Sequence, residues 1–304
     1  MKWVELDQQS PEWFAWREER YTASQASAVM EASAFWPRTP FQLYLLRTGQ
    51  KEVVVTDAMR AGNRDEEKAR AHIAWNVGEI VVPRCAETVL EGVPLGASLD
   101  AVHEGMAWEI KRPAKGSESD LWSASEAPAT YLWQMVHTLL CAPIDQVMLA
   151  VYAHDLDQVK TVDTLFRDSP RYRELEEKLV ASWVKFHGHL QALTPPPLSE
   201  GDEVLVDEAD EEWKTAVDIL RIAQEVAKNT AGALELAKAR VIELAEVRGQ
   251  GAKVRGGGFQ VFRSTRAGTI NWKAKPILAA LKKAKVDPEE FRGAPTNYWT
   301  VKEG

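Results

Sequence analysis

From Glu79 to Leu165 the chain alternates between apolar and polar positions in short runs. Residues 80–82, 88–90, 97–102, 107–111, 147–152 and 160–165 are apolar or alternating stretches bounded by Gly, Pro or Asp. Such stretches predict strands. The first 75 residues read instead as helix and loop. Ser10 followed by Pro11 and Glu12 is an N-cap with proline at the first helical position. Thr22-Ala23-Ser24 caps a second helix through Met30, and Thr39-Pro40 a third through Arg47. Between the strands, residues 128–140 set Leu132, Met135, Val136, Leu139 and Leu140 on one side of a helix. Residues 171–193 form another, stopped by Thr194-Pro195-Pro196-Pro197. The pattern predicts an α/β core: a central mixed sheet, mainly an antiparallel meander at its centre, flanked by helices.

The proline run is the expected domain boundary, dividing residues 1–197 from residues 198–304. Past it, residues 210–247 carry Trp213, Val217, Leu220, Ala223, Val226 and Ala227 near helical spacing, which predicts one or two amphipathic helices. Residues 249–258 hold five glycines and read as loop. Residues 259–265 alternate like a strand, Arg266-Ala267-Gly268 fits a turn, and residues 269–272 return as its hairpin partner. A last basic helix is expected from Trp272 to Lys285. The extension is thus mainly helical with a small hairpin.

Composition narrows the function. With 45% hydrophobic and 27% charged residues in 304, the chain can bury a sizeable core, which excludes disorder, collagen and a lone coiled coil. Apolar runs such as residues 146–153 are too short to span a bilayer. The opening MKWVELDQQS lacks an apolar signal core, and two cysteines cannot build a disulfide framework, a four-cysteine zinc site or a four-cysteine iron–sulfur cluster. A cytoplasmic protein is the expectation. The net charge of −8 is uneven: residues 1–197 hold 20 Lys and Arg against 28 Asp and Glu, residues 198–247 hold 5 against 13, and residues 248–304 hold 12 against 4. An acidic total argues against indiscriminate coating of nucleic acid, while leaving room for a locally basic channel around an acidic metal site. The basic tail suits either a polyanion or a solvated helix surface.

The chemistry concentrates in Gly96-Ala97-Ser98-Leu99-Asp100-Ala101-Val102, His103-Glu104-Gly105 and Ala107-Trp108-Glu109-Ile110-Lys111. As a hairpin turning at His-Glu-Gly, the period of 2 sets Glu109 and Lys111 on one face and Ile110 on the other. Asp100 on the adjoining strand supplies a second carboxylate. Two carboxylates and a backbone carbonyl form a hard oxygen site suited to Mg²⁺ or Mn²⁺. Lys111 beside it is placed to orient and help deprotonate a water, as metal-assisted phosphodiester hydrolysis requires. An exposed hairpin with ordinary charges would read the same way by chance, but unpaired charges flanked by Trp108 and Ile110 in a buried strand are costly.

Asp100 with Glu109-Ile110-Lys111 resembles the PD-(D/E)xK nuclease motif, and its surroundings resemble the lambda-exonuclease or YqaJ family of viral recombination nucleases. Three further motifs carry the likeness in order over about residues 8 to 165: Ser10-Pro11-Glu12-Trp13 with Trp16-Arg17 and Thr22-Ala23-Ser24; Gly62-Asn63-Arg64-Asp65-Glu66 with Ala69-Arg70; and Tyr131-Leu132-Trp133-Gln134-Met135-Val136-His137. Glu67 stands where the family has proline, a departure in backbone geometry. The resemblance implies a restriction-endonuclease-like core over residues 1–197. It implies Asp100, Glu109 and the Ile110 carbonyl as metal ligands and Lys111 as the water-activating group. It also implies Glu66 at a second metal or its water, Gln134 in support, and Arg17 and Ser24 on the 5′-phosphate of a DNA end. It further implies a Mg²⁺-dependent exonuclease acting on double-stranded DNA ends, 5′ to 3′, as a ring-shaped homo-oligomer such as a trimer. A single-strand annealing protein would be its partner in phage-type recombination.

Plainer readings stand beside these. Glu66 lies in a charge run that suits a solvated helix face, and Gln134 and His137 suit a satisfied core pair. Arg17 could pair with Glu12 or Glu18, and Ser24 could only cap its helix. Trp3, Trp13, Trp16 and Trp36 read as packing aromatics. Two other functions fit the same residues: a structure-specific or nicking endonuclease, and a non-catalytic DNA-binding or assembly protein.

Overall fold

The computed structural model describes residues 1–53, 56–207, 209–226, 231–266 and 296–303. The chain divides into two compact units, Met1–Pro197 and Leu198–Gly304.

In the first unit a sheet takes the order β1-β3-β4-β5-β6-β7, with β2 paired to β4. Its strands are β1 (Lys2–Val4), β2 (Tyr21–Thr22), β3 (Val82–Leu90), β4 (Val93–His103), β5 (Met106–Lys111), β6 (Gln146–Ala153) and β7 (Gln158–Phe166). The helices are α1 (Pro11–Glu18), α2 (Ala23–Val29), α3 (Pro40–Arg47), α4 (Asp57–Val77), α5 (Asp120–Ser123), α6 (Ala129–Cys141) and α7 (Pro170–Gln191). Helix starts follow their caps: Ser10, Thr39 and Ser169 each accept a hydrogen bond from the backbone N–H three residues on, and each is followed by proline.

One face of the sheet packs Leu99, Val102, Ala107, Leu149 and Val151 against α2, α6 and α7, where Met135, Leu139, Leu179, Trp183 and Phe186 are buried. The other face packs Ala101, Trp108, Ile110, Ala150 and Tyr152 against Ala69 and Ile73 of α4.

The β4–β5 hairpin forms as its pattern predicts, with Ala101 opposite Trp108 and His103 opposite Met106. Its turn residues Glu104 and Gly105 have φ of 37° and 80°, the conformation two-residue hairpin loops favour and glycine tolerates without cost. Three expectations are corrected. The strands expected at residues 80–82 and 88–90 are one strand, β3, because β4 pairs along its whole length and carries it through Pro83 with a register shift between Val82 and Arg84. The centre is not a simple meander: α5 and α6 cross over between β5 and β6, which pair in parallel, as joining parallel strands demands. Strands β1 and β2 are too short to leave a periodic signal.

The second unit contains β8 (Glu203–Leu205), α8 (Glu211–Val226), α9 (Ala231–Gly249), β9 (Lys253–Gly256), β10 (Phe259–Arg266) and β11 (Thr296–Glu303). Its sheet runs β11-β10-β9-β8. Trp213, Val217 and Leu220 of α8 and Val241 and Leu244 of α9 pack on Val254, Phe259 and Val261. The glycine-rich stretch expected as loop holds β9, since Gly257 and Gly258, both at positive φ, make the tight turn that lets β9 pair with β10. The expected hairpin partner at 269–272 and the basic helix from Trp272 to Lys285 lie outside the described residues; β10 pairs with β9 and β11.

Candidate active site

The carboxylates come from three elements. Asp100, half-buried on β4, accepts a hydrogen bond at Oδ2 from the Ile110 backbone N–H at 2.7 Å. Glu109, 8% exposed on β5, meets the Lys111 ammonium at 2.5 Å. Glu66 reaches in from α4, where Arg70 holds its Oε1 at 2.5 Å. Glu66 is therefore paired and partly buried rather than a freely solvated charge.

Asp100 occupies a special place in the sheet. Residues 93–99 and 102 of β4 take a partner on β3, and residues 101–103 take one on β5, whereas Asp100 takes none. Between Arg84↔Leu99 and Val82↔Val102 the strand β4 advances one residue more than β3, which is a β-bulge. The freed backbone is satisfied locally: the Asp100 carboxylate takes the Ile110 N–H, and Arg70 Nε donates to the Asp100 carbonyl at 2.7 Å.

Electrostatics mark the cluster. Burial pushes the Asp100 carboxyl well above the ordinary range, and the negative charges of Glu109 and Glu66 push the same way against Lys111. Burial also raises Glu66, against the pull of Arg70. Burial alone would lower the Lys111 ammonium, but the Glu109 and Asp100 carboxylates outweigh it and hold the group protonated. The Tyr131 ring lies under Lys111, with Nζ 5.4 Å from its centroid.

Among the described residues no three His, Cys, Asp or Glu side chains close into a ready metal-binding group. The donors nevertheless suit a divalent cation: they are hard oxygens, and the mutual repulsion of Asp100, Glu109 and Glu66 is what such an ion relieves. Gln134 is buried on α6 one turn from Tyr131, and no side-chain hydrogen bond joins it to the carboxylates.

Arg17 and Ser24 form a separate cluster. Arg17 donates at 3.4 Å to both Ser24 and Ser98, lies over the Trp13 ring at 4.4 Å, and makes no ion pair with Glu12 or Glu18. Burial lowers its guanidinium from the ordinary arginine value. Ser98 also accepts from Trp13 Nε1 at 2.8 Å. Because Ser98 and Asp100 share β4, one strand serves both places. Trp16 is buried and donates to Glu87, as a packing aromatic does.

His137 belongs to the core. It is fully buried, accepts at Nδ1 from Trp183 Nε1 and so presents Nε2–H to the Gly96 carbonyl, both at 3.1 Å. Sequence reasoning missed Arg70, Tyr131 and Ser98 as members of these sites. Arg70 and Tyr131 stand inside quoted motifs, and Ser98 lies two positions before Asp100.

Part of the chain is similar to known proteins. Residues 12–145 match the model of the YqaJ-like viral recombinase domain. No curated protein matches the chain. The crystal structure of LHK-Exo, an alkaline exonuclease from Laribacter hongkongensis, in complex with dAMP is 24% identical and superposes with a TM-score of 0.50, covering 60% of this chain and 96% of that one. Another crystal structure of LHK-Exo gives 24% identity and a TM-score of 0.49 over the same shares. A phage related exonuclease from Haemophilus somnus 129PT is 12% identical, with a TM-score of 0.44 over 57% of this chain and 96% of that chain. The LHK-Exo complex shares the fold, a mixed sheet between helices. Within the first unit, residues 12–145 are thus similar to the YqaJ-like viral recombinase domain.

Proposed function

We propose that the protein is a Mg²⁺-dependent deoxyribonuclease that degrades linear duplex DNA from its ends, 5′ to 3′, leaving single strands for recombination. The observation that carries this reading is the meeting of Asp100, Glu109, Glu66 and Lys111 at the point where β4 leaves its ladders. Asp100, Glu109, the Ile110 carbonyl and Glu66 would hold the ion; bound there, Mg²⁺ or Mn²⁺ polarises a phosphoryl oxygen and lowers the pKa of water. Lys111, kept as an ammonium by Glu109, orients the attacking water and stabilises the charge that develops on the phosphate.

Arg17 supports the choice of ends. A half-buried guanidinium that donates to the hydroxyls of Ser24 and Ser98 suits a terminal phosphate, which accepts two parallel N–H bonds. The likeness in fold to the dAMP complex of LHK-Exo, an alkaline exonuclease, supports the reaction class. A ring-shaped oligomer and a single-strand annealing partner belong to the same proposal on the family likeness alone. No described helix is long and apolar enough to cross a membrane.

Release of acid-soluble nucleotides from linear and covalently closed duplexes, with Mg²⁺ or with EDTA, tests the reading. Activity on the linear duplex alone, abolished by EDTA, is expected. Equal activity on closed circles would make the protein an endonuclease, and none on either would leave a DNA-binding protein.

A further inference from the structure

The bulge at Asp100 creates a demand that one side chain meets. Removing a strand residue from both ladders leaves a backbone carbonyl without its sheet partner, and a buried carbonyl left unpaired is costly. Arg70 supplies the donor from a different element: its Nε reaches the Asp100 carbonyl at 2.7 Å while Nη2 holds Glu66 Oε1 at 2.5 Å. Neither side chain is loose, with 20% of Arg70 and 25% of Glu66 exposed. Ala69 and Ile73, on either side of Arg70 along α4, are buried against Trp108 and Ile110 of β5, so the helix is anchored where the fork is presented.

We propose that Arg70 is the positioning residue of this site: one guanidinium locks Glu66 on α4 to the bulged backbone at Asp100 on β4, fixing the separation of two carboxylates that belong to different elements. This rests on the nuclease reading of those carboxylates. Arg70 acts through Asp100 and Glu66. The planar fork is essential to the task, because two N–H groups in fixed directions serve two acceptors at once, whereas a lysine ammonium on a flexible stem serves one. The bulge and the arginine are then a single device. The bulge turns Asp100 out of the ladder, and the arginine makes that conformation affordable.

The test compares Arg70→Lys and Arg70→Gln with the parent protein in three measurements. Amide hydrogen exchange in the peptide covering residues 97–112, without metal, reads the Asp100–Ile110 geometry and should quicken about tenfold in both variants. Calorimetric titration with Ca²⁺ alone should show affinity weakened by about 10- to 100-fold, the usual loss when a ligand's supporting partner is removed. On linear duplex with Mg²⁺, kcat should fall by a similar factor with KM for DNA ends little changed. Glu66→Gln combined with Arg70→Gln should cost less than the two separate losses together, since Arg70 works partly through Glu66. Parent-like exchange and Ca²⁺ affinity in both variants overturn the proposal, as does a lowered melting temperature with Ca²⁺ affinity and kcat intact, which marks a merely structural contact. Arg70→Lys keeps the charge and guards against a variant that does not fold. If the parent protein hydrolyses no DNA, the nuclease reading fails, while exchange and Ca²⁺ binding still decide the role of Arg70.

Discussion

Two acidic clusters, one in each unit, meet opposite conditions. In the second unit Asp210 receives both Arg248 Nε and Nη2, the latter at 2.8 Å, and Glu212 receives Arg240 at 2.5 Å and Arg248 at 3.0 Å. The hydrogen bonds from Arg248 first, and the Trp213 N–H next, pull the Asp210 carboxyl down to about 2. In the first unit burial and neighbouring carboxylates push Asp100 up instead, with Lys111 set against it. Acids matched by arginines are complete in themselves and tie a helix pair together. Three acids, Asp100, Glu109 and Glu66, share only Lys111 and Arg70 and carry a deficit of positive charge, and that deficit is what a divalent cation would meet.

The largest effect should come from neutralising the crowded acids. Asp100→Asn and Glu109→Gln are expected to lower DNA hydrolysis on the order of 10³-fold or more, the loss of several kcal/mol of charge stabilisation. The sign for stability is opposite. Because the folded Asp100 carboxyl is raised, its contribution is full below the ordinary carboxylate pKa and is lost as pH rises through the raised value. At neutral pH without metal, Asp100→Asn should therefore melt higher than the parent by calorimetry, and a lower melting point would show that the carboxylates do not repel as described.

Lys111→Ala follows, with an expected loss of about 10²- to 10⁴-fold in turnover. Single-turnover rates on linear duplex would read it, and an unchanged rate would remove Lys111 from the reaction.

A smaller effect concerns stability alone. Burial lowers the His137 imidazole to about 4, while the unfolded chain keeps the ordinary value near 6.5. The folded state thus binds fewer protons between those values, and stability should fall by about 3 kcal/mol as pH drops from 6.5 to 4. Urea melts across that window should show the slope in the parent and a flatter one in His137→Asn; parallel slopes would exclude His137 as its source. Asp210→Asn should lower the melting midpoint only modestly, because the amide still accepts from the Trp213 N–H and only the charge opposite half-buried Arg248 is lost. A large drop would show that the second unit depends on that pairing.

Much of the first unit was legible along the chain. Ser10-Pro11 and Thr39-Pro40 marked helix starts because capping is a local hydrogen bond. The Asp100 and Glu109-Ile110-Lys111 hairpin was legible because period and turn chemistry are local too. Strand β3 was read as two pieces because Pro83, Arg84 and Glu87 break the apolar pattern, and only the partner strand makes them continuous. Glu66 read most simply as a solvated charge, since nothing in a charge run reveals which neighbour will cover it.

The sequence by itself determined which residues could do chemistry: short-range rules of periodicity, capping and turns placed an aspartate and a Glu-x-Lys on neighbouring strands. Only the tertiary structure decided that Asp100 leaves both ladders, that Arg70 from a helix 30 residues earlier satisfies the backbone it vacates, and that Ser98 joins Arg17 and Ser24. The physical reason is that a bulge and its compensating donor form a long-range hydrogen-bond balance between elements, which no window of adjacent residues contains.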